Sequence, residues 1–411
     1  MKTNVMVTNI EELYAAVNNP NAQRSVIELA PGKYMLSATD PNGDPRPNGG
    51  SLVLPEASVL RGQNEYRDFD GDGVWDPLDP NDPETYADPA TETVIDAQNL
   101  KGLTGKMNVV SLGLNNQVER LTVRNNVHAG ALIGINVKPA QGGLQGVVIN
   151  CIVERGQRGL RAQHNGMEFT GLDSSAVFDG NISRHNSGTF GFGIQVQNAS
   201  VNNAAWHVIL RHNRSYDNVA GLFVVAVSSS NVAESVESAN NIYERNAVGC
   251  VLHSGRDAAN VGLLQGSDNN QLRFDSVEDA IWNNSGNPGP LGSGGGIDAR
   301  GGWRTAASAS TSSGNQMRLQ FIGTRFVERS GSENLSGASR RDMTVFGALG
   351  SGGIMPGSGN VVELLIRDSV SDSSPGAFVI IQSVPQAPNK VVVIGTDQAI
   401  ESANTDITLG P

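Results

Sequence analysis

The stretch that decides the fold is Asn181-Ile-Ser-Arg-His-Asn186, followed by Gly193-Ile-Gln-Val-Gln197. Two further copies come after it. Asn213 and Asn218 lead to Gly221-Leu-Phe-Val-Val225, and Asn241 and Asn246 lead to Gly249-Cys-Val-Leu-His253. Gly193, Gly221 and Gly249 follow one another at intervals of 28 residues. Weaker copies start at Gly134, Gly159, Gly296 and Gly376. Self-similarity with a period of roughly 20–50 residues marks a stacked repeat. Each copy holds short alternating runs and turn residues without a helical period, so the stack is built from strands.

Parallel strands in successive coils lie about 4.8 Å apart, so equivalent residues form columns. Asparagines at a fixed turn position can then bond from one coil to the next. Asn150, Asn181, Asn213 and Asn241 are expected to form such a ladder, the alternative being that Asn is simply common in turns. Four residues further on, Glu154, His185, Asp217 and Arg245 suggest a second column of opposite charges, with His185 and Asp217 as an ion pair. Segments 283–296 and 304–316 are rich in Gly, Ser and Ala and read as long loops. Residues 361–369, 376–382 and 390–394 are apolar and regular again.

Composition agrees with a narrow core. Of 411 residues, 38% are hydrophobic and only 5% aromatic, which leaves Val, Ile, Leu and Ala to fill the interior. The formal charge of −12 argues against a nucleic-acid partner, which would select a basic face. Much of the acidic excess lies in 68–92. The two cysteines, Cys151 and Cys250, read as buried thiols rather than a disulfide. No apolar run is long enough to span a membrane. The N-terminus lacks the charged-then-apolar pattern of a leader. The protein is then either cytoplasmic or the processed form of a secreted one; the acidic loop described below, suited to extracellular calcium, favours the second, and a monomer is expected.

Residues 8–19 have the spacing of an amphipathic helix. Thr8 and Glu11 stand at capping-box distance, and Ile10, Leu13, Tyr14 and Val17 share one face. Such a helix would cap the first coil of an open stack. In order follow Ser25-Val-Ile-Glu-Leu29, Ala30-Pro-Gly-Lys-Tyr34, Leu52-Val-Leu54, Val59-Leu-Arg-Gly-Gln63 and Thr93-Val-Ile-Asp-Ala97. This order resembles the opening of right-handed parallel β-helix proteins of the pectate-lyase-like superfamily. The resemblance implies an all-β fold: one right-handed parallel β-helix, a solenoid over 1–411 with an N-terminal capping helix. It would hold roughly ten to twelve coils. That superfamily includes polysaccharide lyases, glycosidases, epimerases, esterases, phage tailspikes and adhesins, so the resemblance is specific for fold and weak for function.

An insertion at 64–92 carries the strongest local motif, Asp68-Phe-Asp70-Gly-Asp72-Gly73-Val74-Trp-Asp76-Pro-Leu-Asp79. Carboxylates stand at loop positions 1, 3, 5, 9 and 12, with Gly at 6. That is EF-hand-like spacing, with Asp in place of the usual Glu at position 12. It also resembles thrombospondin type 3 and dockerin-like loops. Asp68, Asp70, Asp72, Asp76 and Asp79, with the carbonyl of Val74, are the expected Ca2+ ligands. The bland alternative is a solvated acidic loop.

The strands after each repeat glycine define two faces. Positions Gly+1 and Gly+3 are apolar throughout (Ile135 and Val137, Leu160 and Ala162, Ile194 and Val196, for example), so they face the core. Positions Gly+2 and Gly+4 are then expected to face out. They are Asn136 and Lys138, Arg161 and Gln163, Gln195 and Gln197, Phe223 and Val225, Val251 and His253, and Asp298 and Arg300. Amides and guanidinium groups suit sugar hydroxyls and carboxylates, and Phe223 suits stacking on a sugar ring. In alginate- and chondroitin-type β-helix lyases a Lys and an Arg on neighbouring coils act as base and acid. Lys138 and Arg161 are similar to that pair. The resemblance implies β-elimination on an acidic polysaccharide, with Asn136, Gln163, Gln195, Gln197, Phe223, His253, Asp298 and Arg300 lining the groove. Two other readings stay open. One is a non-catalytic extracellular glycan-binding or structural β-helix. The other is a glycoside hydrolase, which needs two carboxylates about 5–9.5 Å apart. Asp173 and Asp179 are the nearest acids for that role.

Overall fold

The computed structural model describes residues 4–79, 81–82, 84–86, 91–100, 108–125, 133–137, 143–165, 173–187, 191–199, 205–227, 231–256, 267–282, 284, 295–304, 312–327, 343–346, 349–350, 357–371, 379–382, 390–394, 400–403 and 406–410. The fold is a right-handed parallel β-helix of three parallel sheets. The chain divides into two compact units, one of Met1–Gln163, Ser175–Gln195 and Ile209–Val219, the other of His164–Ser174, Val196–Val208 and Ala220–Pro411.

In the first unit, the first sheet orders Asn4–Val7, Val26–Leu29, Val59–Arg61, Asn116–Glu119 and Gly143–Ile149. The second sheet orders Leu52–Val53, Asn108–Leu112, Ile133–Val137 and Arg158–Asn165. The third holds short strands, including Thr122–Arg124, Ile152–Glu154, Ile182–Arg184 and Arg214–Tyr216. Helix Ile10–Val17 packs on the opening strands and buries Leu13, Tyr14, Ala16 and Val17. It is two residues shorter at each end than the 8–19 that the sequence suggests, and its cap stands one residue later than Thr8. Asn9 is the cap and accepts from the Glu12 backbone N–H, while the Glu12 carboxylate reaches back to the N–H and hydroxyl of Thr8.

In the second unit, the first sheet orders Ala233–Ala239, Gln271–Val277, Gln316–Ile322, Val361–Arg367, Lys390–Ile394 and Asp406–Gly410. The second orders Ala220–Val227, Val248–Arg256, Gly295–Arg300, Met343–Phe346, Val379–Gln382 and Ile400–Ala403. Strands take only the edges of the segments read as loops, at Gly295, Gly296, Arg304 and Gln316, and 285–294 and 305–311 lie outside the described residues. Gly295–Arg300 and Gln316–Ile322 belong to the stack, and Trp303–Arg304 pairs with the strand ending at Arg256. Gly376 lies outside the described residues.

The repeat glycine has a steric cause. A Cβ on Gly221 would stand 2.7 Å from the carbonyl oxygen of Gly249, and one on Gly249 would stand 2.5 Å from that of Gly296. Successive rungs approach too closely there for any side chain. Beyond the glycine, Ile135, Val137, Leu160, Ala162, Ile194, Val196, Leu222, Val224, Cys250, Leu252, Ile297 and Ala299 are all fully buried, as the alternation requires. Both cysteines are free buried thiols, and burial pushes Cys151 up to about 12.

The turn ladder exists, with one correction. Asn213 Oδ1 accepts from the backbone N–H and the side-chain amide of Asn181, at 3.1 and 2.9 Å. Asn181 in turn accepts from the N–H of Cys151, not Asn150. Because Ile152 pairs with Ile182, Cys151 holds the ladder position and Asn150 falls one residue early. The same slip displaces Glu154 from the charge column, and Arg155 takes its place beside His185 and Asp217. A parallel ladder joins Asn186 to Asn218. In the second unit Asn241 donates to Asp279, whose buried carboxyl is pushed up to about 6. A further ladder runs Asn270, Asn315 and Asn360, a column absent from the sequence reading.

One core residue breaks the apolar pattern. In Ala233–Ala239, Glu234 points inward with Val236 and Ser238, and neither carboxyl oxygen has a hydrogen-bond partner. Its register neighbour is Leu272. Burial pushes this acid well above its ordinary value of 4.5. A raised folded-state value stabilises the fold in full below the unfolded value. That contribution is lost as pH rises toward the folded one. Glu234→Met should therefore gain thermal midpoint over the parent as pH rises from 4 to 8. Melting curves across that range check this, and a pH-independent difference would refute it.

Candidate functional site

The outward face of the second sheet is covered, and that overturns its expected exposure. In the first unit, Asn136 is fully buried and neither its amide nitrogen nor its oxygen finds a partner. It is in register with Ser111 on one side and Arg161 on the other. Arg161 and Arg158 are themselves buried. Burial lowers Arg158 to about 10, and burial together with the charge of Arg158 holds Arg161 well below the ordinary guanidinium range. Gln195 is buried in the same unit. Two like charges and an unsatisfied amide away from water are costly, and an anionic group would offset that cost. Arg158, immediately before the repeat glycine, was not singled out by the alternation rule. Lys138 and the side chain of Gln163 lie outside the described residues.

In the second unit, Phe223, Val225, Val251, His253, Asp298 and Arg300 are likewise buried. Gln197 is partly buried. The His253 ring lies between Phe223 and Trp303, with centroids 5.7 and 5.1 Å away, and neither ring nitrogen has a partner. Burial, with Arg300 and Arg256 nearby, keeps this imidazole well below its ordinary value and so neutral. Arg300 makes a two-point contact with Asp298 at 2.8 Å and lies 4.3 Å from the centre of the Trp303 ring. Phe223 is therefore enclosed with His253 rather than presented as an open platform. Trp303 completes this cluster, although the sequence marks it only by its place in a Gly-rich segment.

The acidic insertion is not a free loop. Trp75 and Tyr86 are buried against Ile152, Ile182 and Tyr216 of the third sheet, with Tyr66 alongside. Within it, Asp68 accepts from the N–H groups of Gly71 and Gly73, Asp70 from Asp72, and Asp76 from Phe69. Asp68, Asp70 and Asp76 bring carboxylate oxygens within 4.8 Å of one another, an arrangement that can hold a metal ion. Asp72 is pushed up by burial and by Asp70, Asp68 and Asp76. Its carboxylate accepts from the N–H of Val74. Asp79 instead accepts from Asn81 and pairs with Asp82 in a local bridge, apart from the cluster. Gly73 has φ +79°, and a Cβ there would meet the His212 ring at 2.6 Å.

Arg184 ties the insertion down. It donates to Glu154 at 2.8 Å, to the Tyr216 hydroxyl at 2.7 Å and to the Glu84 carbonyl at 2.7 Å. Burial opposes its charge, yet Tyr216 and Glu154 hold it above its ordinary range. His185 meets Glu84 at 2.6 Å and Asp217 at 3.9 Å, so it lies between two carboxylates, and these three groups stand close enough together to hold a metal ion.

No protein-family model and no curated protein matches the chain. Solved structures similar to it include the A-modules of the Azotobacter vinelandii mannuronan C-5 epimerases AlgE6 and AlgE4. Each is 12% identical with a TM-score of 0.45; 98% of this chain is covered, with 100% and 98% of theirs. The catalytic unit of a GH87 alpha-1,3-glucanase from Streptomyces thermodiastaticus strain HF3-3 is 11% identical over 98% of this chain and 62% of its own, with a TM-score of 0.32. At these values the likeness carries no argument, and the fold and the chemistry are read from the strands and residues above.

Removing Arg184 leaves Glu154 buried without its partner, a change that typically costs about 3–5 kcal/mol. Arg184→Leu should lower the unfolding free energy by about that amount. Limited proteolysis should then cut first within 64–92, while the parent resists. Equal cleavage of both proteins would contradict the anchoring role.

Proposed function

We propose that this chain is a carbohydrate-active β-helix enzyme, one secreted domain spanning 1–411, and that it cleaves an acidic polysaccharide by β-elimination. The observation that carries this reading is the buried pair Arg158 and Arg161 beside the unsatisfied amide of Asn136. Such a set suits the carboxylate of a uronate. Holding that carboxylate neutral favours the enolate-like intermediate formed when the C5 proton leaves. Lys138 is the proposed base that takes the proton. The C4–O bond then breaks, its electron pair leaves with the oxygen, and Arg161 supplies that oxygen with a proton. A guanidinium held well below its ordinary value gives up a proton more readily than an exposed one.

A non-catalytic, glycan-binding role is the second reading, favoured by the burial of Asn136 and His253. The hydrolase reading has less support. Of its two acids, Asp179 lies 3.0 Å from His212, and the side chain of Asp173 lies outside the described residues.

We propose Ca2+ as the ion for the acidic loop, held by Asp68, Asp70 and Asp76 with Asp72 and the Val74 carbonyl. Hard carboxylate and carbonyl oxygens on a flexible loop suit it. Its role is structural. It offsets the repulsion among these carboxylates and fixes the loop that Trp75 docks.

Incubation with pectate, alginate and glycosaminoglycans in calcium should give ultraviolet absorbance from an unsaturated product on one of them. Arg161→Ala should lower kcat at least about a hundredfold. Binding without product on any of them would remove the lyase and leave the non-catalytic reading. Separately, calcium should raise the thermal midpoint more than magnesium does, and Asp70→Asn should remove most of the gain. An unchanged midpoint would exclude the ion.

A further inference from the structure

The second unit carries a groove on a different face. It crosses the first sheet where the strands beginning at Ala205, Ala233, Gln271, Gln316 and Val361 start, and encloses 510 Å³. Four strand spacings make it about 19 Å long, and its volume falls in the range of ligand sites. Glu234, Leu272, Met317 and Val362 of these strands point to the core. The alternate side chains therefore line the groove, and the register puts them in columns.

Gln271 pairs with Gln316, and Arg273 pairs with Arg318. All four are exposed. Among the described residues neither Gln amide makes a hydrogen bond, and Arg318 has no carboxylate within 4 Å. Glu363 follows Arg318 in register without reaching it. Arg273 is held by Asp275 at 2.6 Å, and His207 lies 3.7 Å from Glu237. Two guanidinium groups side by side repel each other unless an anion lies across them. In a chain of net charge −12, the lining sets Arg273 and Arg318 against the exposed Glu363 and the buried Glu234.

We propose that this groove is a second, non-catalytic binding track for a linear acidic polysaccharide. The chain of sugars lies across the strands, its carboxylates on Arg273 and Arg318 and its hydroxyls on the amides of Gln271 and Gln316. Rung spacing sets the pitch of the contacts, so a repeating polymer is matched where a compact anion is not. The proposal shares with the functional reading only the class of polymer. It uses neither Arg161 nor Lys138.

The test is calorimetry on the full chain with hexasaccharides of alginate, pectate and heparosan, and with neutral cellohexaose, at low and at physiological salt. The parent should bind at least one acidic hexasaccharide, and added salt should weaken it. Arg318→Ala should weaken it about fivefold or more, and Arg161→Ala should leave this binding in place. Arg318 is exposed, so its loss does not threaten folding. Equal binding by Arg318→Ala and the parent would overturn the groove, as would cellohexaose binding as tightly as the acidic sugars, or no acidic sugar binding at all. The same samples are assayed for unsaturated product. Groove binding without product leaves this proposal standing and removes the lyase. Product with an Arg318→Ala variant that binds like the parent does the reverse.

Discussion

The interaction on which everything else rests is the asparagine that bonds upward and downward at once. Asn181 shows it: its oxygen accepts from the Cys151 N–H at 3.0 Å and its amide donates to the Val148 carbonyl at 2.9 Å on one side, and the same amide donates to the Asn213 oxygen at 2.9 Å on the other. Parallel strands set only a spacing; nothing in the backbone ladder itself prevents a slip. A slip by one residue would turn every core side chain outward. A buried column of Asn resists it, because each displaced amide would be left unsatisfied at about 1–3 kcal/mol. Neighbouring turn residues such as His185, His212 and Asp217 sit at positive φ, a strained conformation held by the same turn geometry.

Much of this was legible. The glycine-led alternation assigns the two faces correctly over every described rung, because period-two burial depends on local sequence alone. The misassignments have physical reasons. Asn150 looks like a ladder residue because Asn favours turns, yet the pairing of Ile152 with Ile182 gives that position to Cys151. Thr8 and Glu11 look like a capping box, but Asn9 caps better from one residue on. Alternation also says which way a side chain points and nothing about what lies over it. Arg161 and His253 were therefore expected in solvent and are buried. The Asn270–Asn315–Asn360 column escaped notice because its members are 45 residues apart, far from the shorter period that draws the eye.

The acidic insertion shows what local reading misses. Its carboxylate spacing is plain in the sequence, and the loop does wrap its backbone N–H groups around Asp68, Asp70 and Asp76. Its attachment is non-local and invisible there. Trp75 and Tyr86 find an apolar seat on the third sheet, and Gly73 lies against His212 because no larger residue fits. Tyr66 donates its hydroxyl to the Gly73 carbonyl at the same point. Loop conformation and solenoid surface are thus one mechanical unit. Any ion that fixes the carboxylates also fixes the Trp75 seat.

Buried polar groups without partners lower stability, so where they sit is informative. Glu234 is buried on the core side of its strand, with Leu272 as its register neighbour. Asn136 lies on the opposite face of its sheet, in register with the buried Arg161. The same cost has different implications in the two places. An interior acid can be neutralised by protonation, and the fold then needs nothing further from it. An amide in register with the buried Arg161 has no such exit. An incoming carboxylate would lessen the repulsion between Arg158 and Arg161. That asymmetry is why the functional reading rests on Asn136 and Arg161 and not on the most perturbed acid in the protein.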